Sequence, residues 1–444
     1  MAATPLILVG LSHRTAPVAV RERFSMDEDA CRRVLGKLQG FGVRESVILS
    51  TCNRTEIYAV GGDQQDADSV GRVAVDALAQ DRGAVADDIA PHIYRLEGLD
   101  AVRHLFRVAS SLDSLVIGEP QILGQAKESY RIATESGTVG ALLARFFEKA
   151  FKVAKEVRTT TGVGTGQVSV GSIAVDLSRQ VFGDLSKSTV LLLGAGKMAE
   201  AVGKTLAAAG AQRVVVANRT VEKAMRVAET YGWAGAPLAD LPDLMVEADV
   251  VIASLASPGY VVDRALLKVV LARRRHRAVF LVDIAVPRVI DPEAGKLEGA
   301  YLYNIDDFNQ IVVEHVGRRS GDVRKADEIV AREVEVVSRY LRALEVQPLI
   351  AALGQRAQEL RERELARALK ELPDASPEVR KVLEALATSL SGKLLHDPIC
   401  ALREAAHAGM GEGLADATRR LFRLEGETRP GDQVPESGQG GNDA

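Results

Sequence analysis

The sequence predicts a multidomain α/β chain: an N-terminal α+β unit, a doubly wound parallel sheet, and an all-helical C-terminal part opened by one long helix. Three observations carry that reading. From 5 to 95, short alternating runs are mixed with helical stretches. Between about 170 and 310, apolar strands alternate with helices, the rhythm of parallel βαβ units. From about 312, apolar residues recur every three or four positions with no strand between them, as on one face of a helix. The expected divisions are 1–160, 161–311 and 312–425, with the polar, glycine-rich 426–444 a disordered tail.

Composition narrows the class. The chain has 444 residues, 47% hydrophobic and 26% charged, as in a well-folded soluble protein of two or three domains. A formal net charge of −4 excludes bulk electrostatic coating of nucleic acid, so a nucleic-acid partner requires a local basic patch. "MAATPLILVGLSHRTAP" lacks the basic start and apolar core of a leader. No window approaches the roughly 18–20 apolar residues of a membrane span, and a cytoplasmic location is expected. Cys31, Cys52 and Cys400 are too scattered for a disulfide framework or a C-x-x-C metal site, so the thiols are expected to be reduced and no bound metal is expected.

The elements follow in order. "LILVGLSH", "ESVILS" and "EIYAV" alternate like strands, and 69–80 reads as a helix. Between 99 and 158 apolar spacing turns helical, interrupted at "IGEPQILGQ" by glycine and proline, a candidate site loop. The glycine-rich "TTTGVGTGQVSVGS" separates this half from four apolar strands, in "STVLLLG", "QRVVVANRT", "ADVVIASLAS" and "AVFLVDIAVPR". Val323, Ala326, Val330, Val334, Val337, Leu341 and Leu344 then form a continuous stripe that needs a partner. Helices over 347–372 and 377–408 complete the expected structure.

The strongest chemical signal is "LLLGAGKMAEAVG". Gly194, Gly196 and Ala199 form G-x-G-x-x-A between a strand and a helix. The first glycine makes the turn, the second lets a pyrophosphate approach the backbone, and Ala199 allows close helix packing. Ala195, Lys197 and Met198 complete the loop. An NAD site usually has an acidic residue about 20 positions on; here the next strand ends in Asn218, Arg219 and Thr220, which suit a 2′-phosphate and favour NADP(H). The alternatives are a structural turn and a solvated Arg219.

Cys52 has two readings. A free cysteine is usually a small buried hydrophobe, yet Thr51, Asn53 and Arg54 are polar, and a nearby cation raises the few per cent of thiolate that a pKa of about 8.5 leaves at pH 7. His13 and His104 are acid–base candidates, although His104 also flanks an apolar helix face. Ser114, Glu119, Gln121 and Gln125 can bond a polar substrate or line a solvated turn. Lys149, Lys152, Lys155 and Arg158, and "RRRHR" at 273–277, read as solvated faces before phosphate sites.

A nucleotide sheet and a nucleophilic cysteine together suit reduction of an activated carboxyl group. The thiolate displaces an ester oxygen, and the resulting thioester accepts hydride. At this point the sequence resembles the glutamyl-tRNA reductase family, through "GLSHRTAPVAVRERF", "STCNRTEIY", "HLFRVASSLDSLVIGEPQILGQ", "LLLGAGKMAE", "VANRT" and "VDIAVPRVIDP". The resemblance implies NADPH-dependent conversion of glutamyl-tRNA(Glu) to glutamate-1-semialdehyde, the first step of porphyrin and other tetrapyrrole (5-aminolevulinate) biosynthesis. It implies Cys52 as nucleophile, Thr51 to Arg54, Ser114, Glu119 to Gln121 (including Pro120) and Gln125 in the glutamate pocket, with Arg54 clamping a carboxylate, and His104 as the histidine critical for activity. It further implies a V-shaped homodimer built through C-terminal helices, with a long spinal helix, and transfer of the aldehyde to an aminomutase. "SLASPGYVVD" departs from the family's serine, threonine and glycine-rich run. Two other readings stand beside this one: a shikimate-type NADP dehydrogenase needing no cysteine, and a tRNA-binding protein that senses NADPH without catalysis.

Overall fold

The computed structural model describes residues 6–62, 65–114, 121–164, 170–257, 259–308 and 320–424. It divides into two compact units, Ala3–Val334 and Glu335–Ala444.

The first unit begins with β1 (Leu6–Ser12), α1 (Val18–Phe24), α2 (Glu28–Gly40), β2 (Glu45–Ser50), β3 (Arg54–Val60), α3 (Ala67–Asp81), α4 (Ala86–Ile89), β4 (Tyr94–Glu97), α5 (Gly98–Ala109), α6 (Gln121–Glu135) and α7 (Ala141–Thr160). The antiparallel sheet runs β2-β3-β1-β4. Asp27 and Asp66 start α2 and α3 by accepting backbone N–H bonds from Ala30 and Ser69. α3 and α5 cover β1 while α6 and α7 cover β2, so every residue of β1 and β3 is buried rather than alternate ones. Buried polar strand residues therefore have internal work: Glu45 accepts the N–H groups of Leu142 (3.3 Å) and Leu143 (2.7 Å), starting α7.

After α8 (Val170–Phe182) come β5 (Thr189–Leu193), α9 (Lys197–Ala208), β6 (Arg213–Asn218), α10 (Val221–Tyr231), β7 (Ala234–Pro237), α11 (Leu241–Glu247), β8 (Val250–Ala253), α12 (Arg264–Arg273), β9 (Val279–Asp283) and β10 (Ala300–Asn304). Their sheet is parallel throughout, in the order β10-β9-β8-β5-β6-β7. Strand order reverses between β5 and β8, and the crevice at their carboxyl ends is where ligands bind in such sheets. Val18 of α1 is buried in the core cluster on the α8–α9 side of this sheet, so α1 is joined to this sheet by apolar packing.

Three strands escape the sequence reading. β4, β7 and β10 are edge strands with alternating or partial burial, and "YRLE", "AGAP" and "AYLYN" carry no long apolar run. The candidate loop at 117–125 also differs: from Gln121 onward it is the first turns of α6, because a single Gly124 within a well-packed helix is tolerated.

A long helix, α13 (Ser320–Glu345), crosses the division between the units. In the first unit it is held by ion pairs of Lys149 with Glu333, Arg332 with Glu156 at 2.7 Å and Arg107 with Asp327. Ala326, Val330, Val334, Val337 and Leu341 of its stripe are buried, whereas Leu344 is exposed. The second unit adds α14 (Gln347–Glu371), α15 (Pro377–His407) and α16 (Gly411–Phe422), with Leu349, Leu353, Leu402 and Ala415 as its core. Opposite that small core, α15 exposes Val379, Val382, Leu386, Leu390 and Leu394. No described helix is long and apolar enough to cross a membrane.

Candidate active site

Cys52 occupies the tight connection between β2 and β3. The Thr51 N–H donates to the Arg54 carbonyl at 2.8 Å, and the Thr51 hydroxyl accepts the N–H groups of Asn53 and Arg54, each at 3.2 Å. Those bonds close the turn and leave Cys52 half-buried, packed at the margin of the core that underlies α8 and α9. Cys31 differs: it is buried, and burial pushes its thiol up to about 11, which makes it inert.

Behind the turn lies a charge network absent from the sequence reading. Arg54, 2% exposed, donates through Nη1 to Glu56 Oε1 at 2.7 Å and to Asp113 Oδ2 at 3.1 Å, and through Nη2 to the Asp113 carbonyl. Glu56 also accepts hydrogen bonds from the Tyr58 and Tyr94 hydroxyls. Burial alone would raise the Glu56 carboxyl, but Arg54, His104 and the hydrogen bonds outweigh it and hold the group below the usual carboxylate range. Gly10 makes room for it, since a Cβ there would sit 2.8 Å from Glu56 Cγ and 3.0 Å from the Thr55 carbonyl. Both Arg54 terminal nitrogens are thus turned toward internal acceptors.

His104 Nε2 lies 2.8 Å from Glu56 Oε1. An ionised carboxylate only accepts, so Nε2 carries the proton and Nδ1 is the nitrogen not engaged with Glu56. His13 takes a separate place: its N–H donates to the Asn53 carbonyl at 2.8 Å, and its Nδ1 is buried without a hydrogen-bond partner. Burial, reinforced by Arg54, lowers its imidazole to about 4, so it is neutral at physiological pH.

The end of α5 supplies Asp113. Ser111 adopts φ +60 and the Leu112 N–H bonds the Arg107 carbonyl, an αL helix ending on a non-glycine residue. That turn aims Asp113 at Arg54 and leaves Ser114 half-buried beside it. Glu119 and Pro120 lie outside the described residues. Gln121 and Gln125 stand one turn apart at the start of α6, and the Gln121 amide lies 3.7 Å from Met198 Sδ. The structure thereby brings one expected substrate-pocket residue against one expected cofactor residue.

On the nucleotide side, Gly194 has φ +106, and a Cβ there would lie 3.0 Å from Leu255 N. Gly196 is the N-cap of α9, Lys197 and Met198 open the helix, and Ala199 is fully buried against the sheet while Ala195 is half-buried. This open-backbone turn at a helix N-terminus fits a dinucleotide pyrophosphate. Asn218 bonds the Thr220 carbonyl at 3.0 Å, and Thr220 N-caps α10. The exposed Arg219 reaches across the crevice to the Ala256 carbonyl at 2.6 Å, so the segment after β8 buttresses the cationic end of the site. Among the described residues, no three His, Cys, Asp or Glu side chains form a metal-holding group.

Both basic clusters are largely exposed, at Lys152, Lys155 and Arg158 and at Arg273, Arg275, His276 and Arg277, with one member of each drawn inward. Lys149 is paired with Glu333. Arg274 is fully buried, donating to the carbonyls of Met245, Val246, Ala248 and Ala278. It fastens α12 to the chain around Asp249.

Comparison with known proteins adds to this geometry. Residues 9–161 match the model for the glutamyl-tRNAGlu reductase N-terminal domain, 176–311 that for shikimate / quinate 5-dehydrogenase, and 325–424 that for the glutamyl-tRNAGlu reductase dimerisation domain. The glutamyl-tRNA reductase of Trichlorobacter lovleyi is 43% identical over 421 residues, 95% of this chain and 96% of that one. The chain belongs to the glutamyl-tRNA reductase family. Its enzymes are NADP-dependent oxidoreductases. The reductase of Syntrophotalea carbinolica is 40% identical over 440 residues, 99% of this chain and 96% of that one. The solved glutamyl-tRNA reductase from Methanopyrus kandleri is 31% identical with a TM-score of 0.50, covering 94% of this chain and 99% of that one. Kinship with shikimate-type dehydrogenases is confined to the NAD(P)-binding domain.

Five residues of the site were missed by sequence reasoning: Arg21, Glu56, Tyr58, Tyr94 and Asp113. Arg21, Glu56, Tyr58 and Asp113 lie inside the matched stretches "GLSHRTAPVAVRERF", "STCNRTEIY" and "HLFRVASSLDSLVIGEPQILGQ", but spacing alone does not show that their polar groups are internal.

Proposed function

We propose that the chain reduces glutamyl-tRNA(Glu) with NADPH to glutamate-1-semialdehyde, releasing tRNA, and that Cys52 carries the acyl group as a thioester. The Cys52 thiolate attacks the ester carbonyl carbon; the new C–S bond forms, the C–O bond to the tRNA ribose breaks, and the leaving oxygen takes a proton. His104 is suited to supply it from Nδ1 as the imidazolium, carrying there the proton given up when the Cys52 thiolate forms, since Glu56 fixes the ring by holding the Nε2 proton. Thr51, Asn53, Ser114, Gln121 and Gln125 orient the glutamyl group, together with Glu119 and Pro120. Arg54 braces the turn through Glu56 and Asp113 rather than reaching outward in this arrangement. NADPH, when bound at Gly194–Ala199 with its 2′-phosphate at Asn218–Thr220, supplies the hydride that reduces the thioester. The C–S bond then breaks and Cys52 returns to the thiolate.

The contact of Gln121 with Met198 supports this reading, because it joins the N-terminal domain to the glycine turn of the nucleotide-binding domain, the two parts that hydride transfer would bring together. The exposed apolar stripe of α15 favours assembly as a homodimer, and the function is that of a cytoplasmic enzyme of tetrapyrrole formation. The test is to incubate the purified chain with glutamyl-tRNA and NADPH and assay the aldehyde. Cys52→Ser is expected to abolish it. Without NADPH, the unaltered chain is expected to hydrolyse the charged tRNA slowly to glutamate, and retention of full reductase activity by Cys52→Ser would exclude the thioester.

A further inference from the structure

Arg21 lies on α1, 2% exposed, and its Nη1 and Nη2 reach the Cys52 turn and the nucleotide-binding domain. Nε donates to the Ala16 carbonyl at 3.2 Å, and Nη1 donates to the Cys52 carbonyl at 2.5 Å and to Asn53 Oδ1 at 3.3 Å. Nη2 pairs with Asp306 Oδ1, and Asp306 Oδ2 accepts the Val18 N–H at 2.9 Å. Asp306 follows β10 and is itself held by its N–H donating to Asn304 Oδ1 at 2.7 Å. The next residue of α1, Glu22, is gripped by Arg288 beyond β9 through Nε at 2.9 Å and Nη2 at 2.7 Å.

We propose that Arg21 is a positioning residue for the thioester chemistry, stabilising Cys52 as the thiolate, and that Asp306 from the nucleotide-binding domain offsets its positive charge at the sulfur. The inference rests on Cys52 being the nucleophile. Burial works against the Arg21 charge, and Asp306, Cys52 and Glu22 act in the opposite sense; His13 is the other titratable group that feels Arg21 here. Arg21 bonds the Cys52 carbonyl and Asp306, so it acts on the thiolate through space, and the negative charge of Asp306 opposes its potential there. Pairing with Asp306 therefore weakens the hold on the sulfur, and separation of Asp306 from Arg21 strengthens it. Thiolate formation is thus favoured when the nucleotide-binding domain withdraws, and release of the sulfur as a leaving group is favoured when it is seated.

The experiment measures alkylation of Cys52 by iodoacetamide against pH, read on the Cys52 peptide by mass spectrometry, in the full-length chain. Arg21→Gln is expected to move the midpoint up by about one unit, roughly a tenfold loss of thiolate below the midpoint. Asp306→Asn is expected to move it down, and Arg21→Lys to restore most of the original midpoint. A merely structural role moves Arg21→Gln and Asp306→Asn in the same direction, and that result, or an unchanged midpoint in Arg21→Gln, overturns the proposal. If Arg21→Gln does not fold, the downward shift in Asp306→Asn decides alone. Aldehyde production by Cys52→Ser is assayed in parallel: activity there removes the nucleophile itself, whereas an inactive Cys52→Ser with an unmoved midpoint removes only the role of Arg21.

Discussion

Glu56 is a carboxylate with no exposure to water, held on β3 by one guanidinium, one imidazole and two phenols. Taking its charge away leaves Arg54 with Asp113 as its carboxylate partner and breaks the bond that sets the His104 tautomer. Breaking such a buried arrangement from one side costs about 3–5 kcal/mol. Glu56→Gln is therefore expected to lower unfolding stability by that order in denaturant titration, and to reduce aldehyde formation further than the loss of folded protein explains. The pH dependence has a definite sign. Because the folded-state carboxyl titrates below its usual range, its contribution is fully present above the unfolded value of about 4.3 and is lost as pH falls through the folded one. Glu56→Gln should flatten the acid limb of the stability profile in that window. At this scale Cys52 was legible because polar neighbours surround it, while Glu56 and Arg21 were not. A charged residue in an alternating run reads as outward-facing, and only covering helices on both sides turn it into a buried one.

At the scale of elements, the proposed recognition of NADPH is divided between backbone in the turn from β5 into α9 and side chains at the end of β6. The glycine turn acts through open backbone at Gly194 and Gly196 and tolerates Lys197 and Met198, whereas Arg219 is a cation braced on Ala256. Arg219→Ala is expected to raise the KM for NADPH about tenfold or more while leaving that for NADH nearly unchanged, measured by steady-state reduction of glutamyl-tRNA with each nucleotide. α15 presents the opposite case, a helix whose most apolar stripe faces outward at Val379, Val382, Leu386, Leu390 and Leu394. Leu386→Asp with Leu390→Asp is expected to convert a dimer to monomers in sedimentation velocity without loss of helix content. The glycine motif was readable because its spacing is tied to a strand on one side and a helix on the other. β4, β7 and β10 were not, because these three edge strands, unlike β2, are only partly buried and carry no long apolar run.

Across the whole first unit, the substrate-side domain and the nucleotide-binding domain meet through Val18, Arg21 with Asp306, Glu22 with Arg288, and Gln121 with Met198. In the proposed mechanism, acyl transfer to Cys52 needs groups of the substrate side, whereas reduction needs both domains together. Arg288→Ala is accordingly expected to shift products from aldehyde toward free glutamate, several-fold in the ratio, with little change in total consumption of charged tRNA. Equal loss of both products would mean that the tie serves folding alone. The sequence by itself determined the three-part architecture, the dinucleotide turn and the cationic end of β6, since each is written in local spacing that one strand, turn or helix imposes. Only the tertiary structure decided that Arg54 braces an internal network, that Arg21 rather than a neighbour in sequence faces Cys52, and that Asp306 reaches it from beyond β10, 254 positions after Cys52. Charges act through distance and burial, and neither is fixed until sheets and helices from distant parts of the chain have packed against one another.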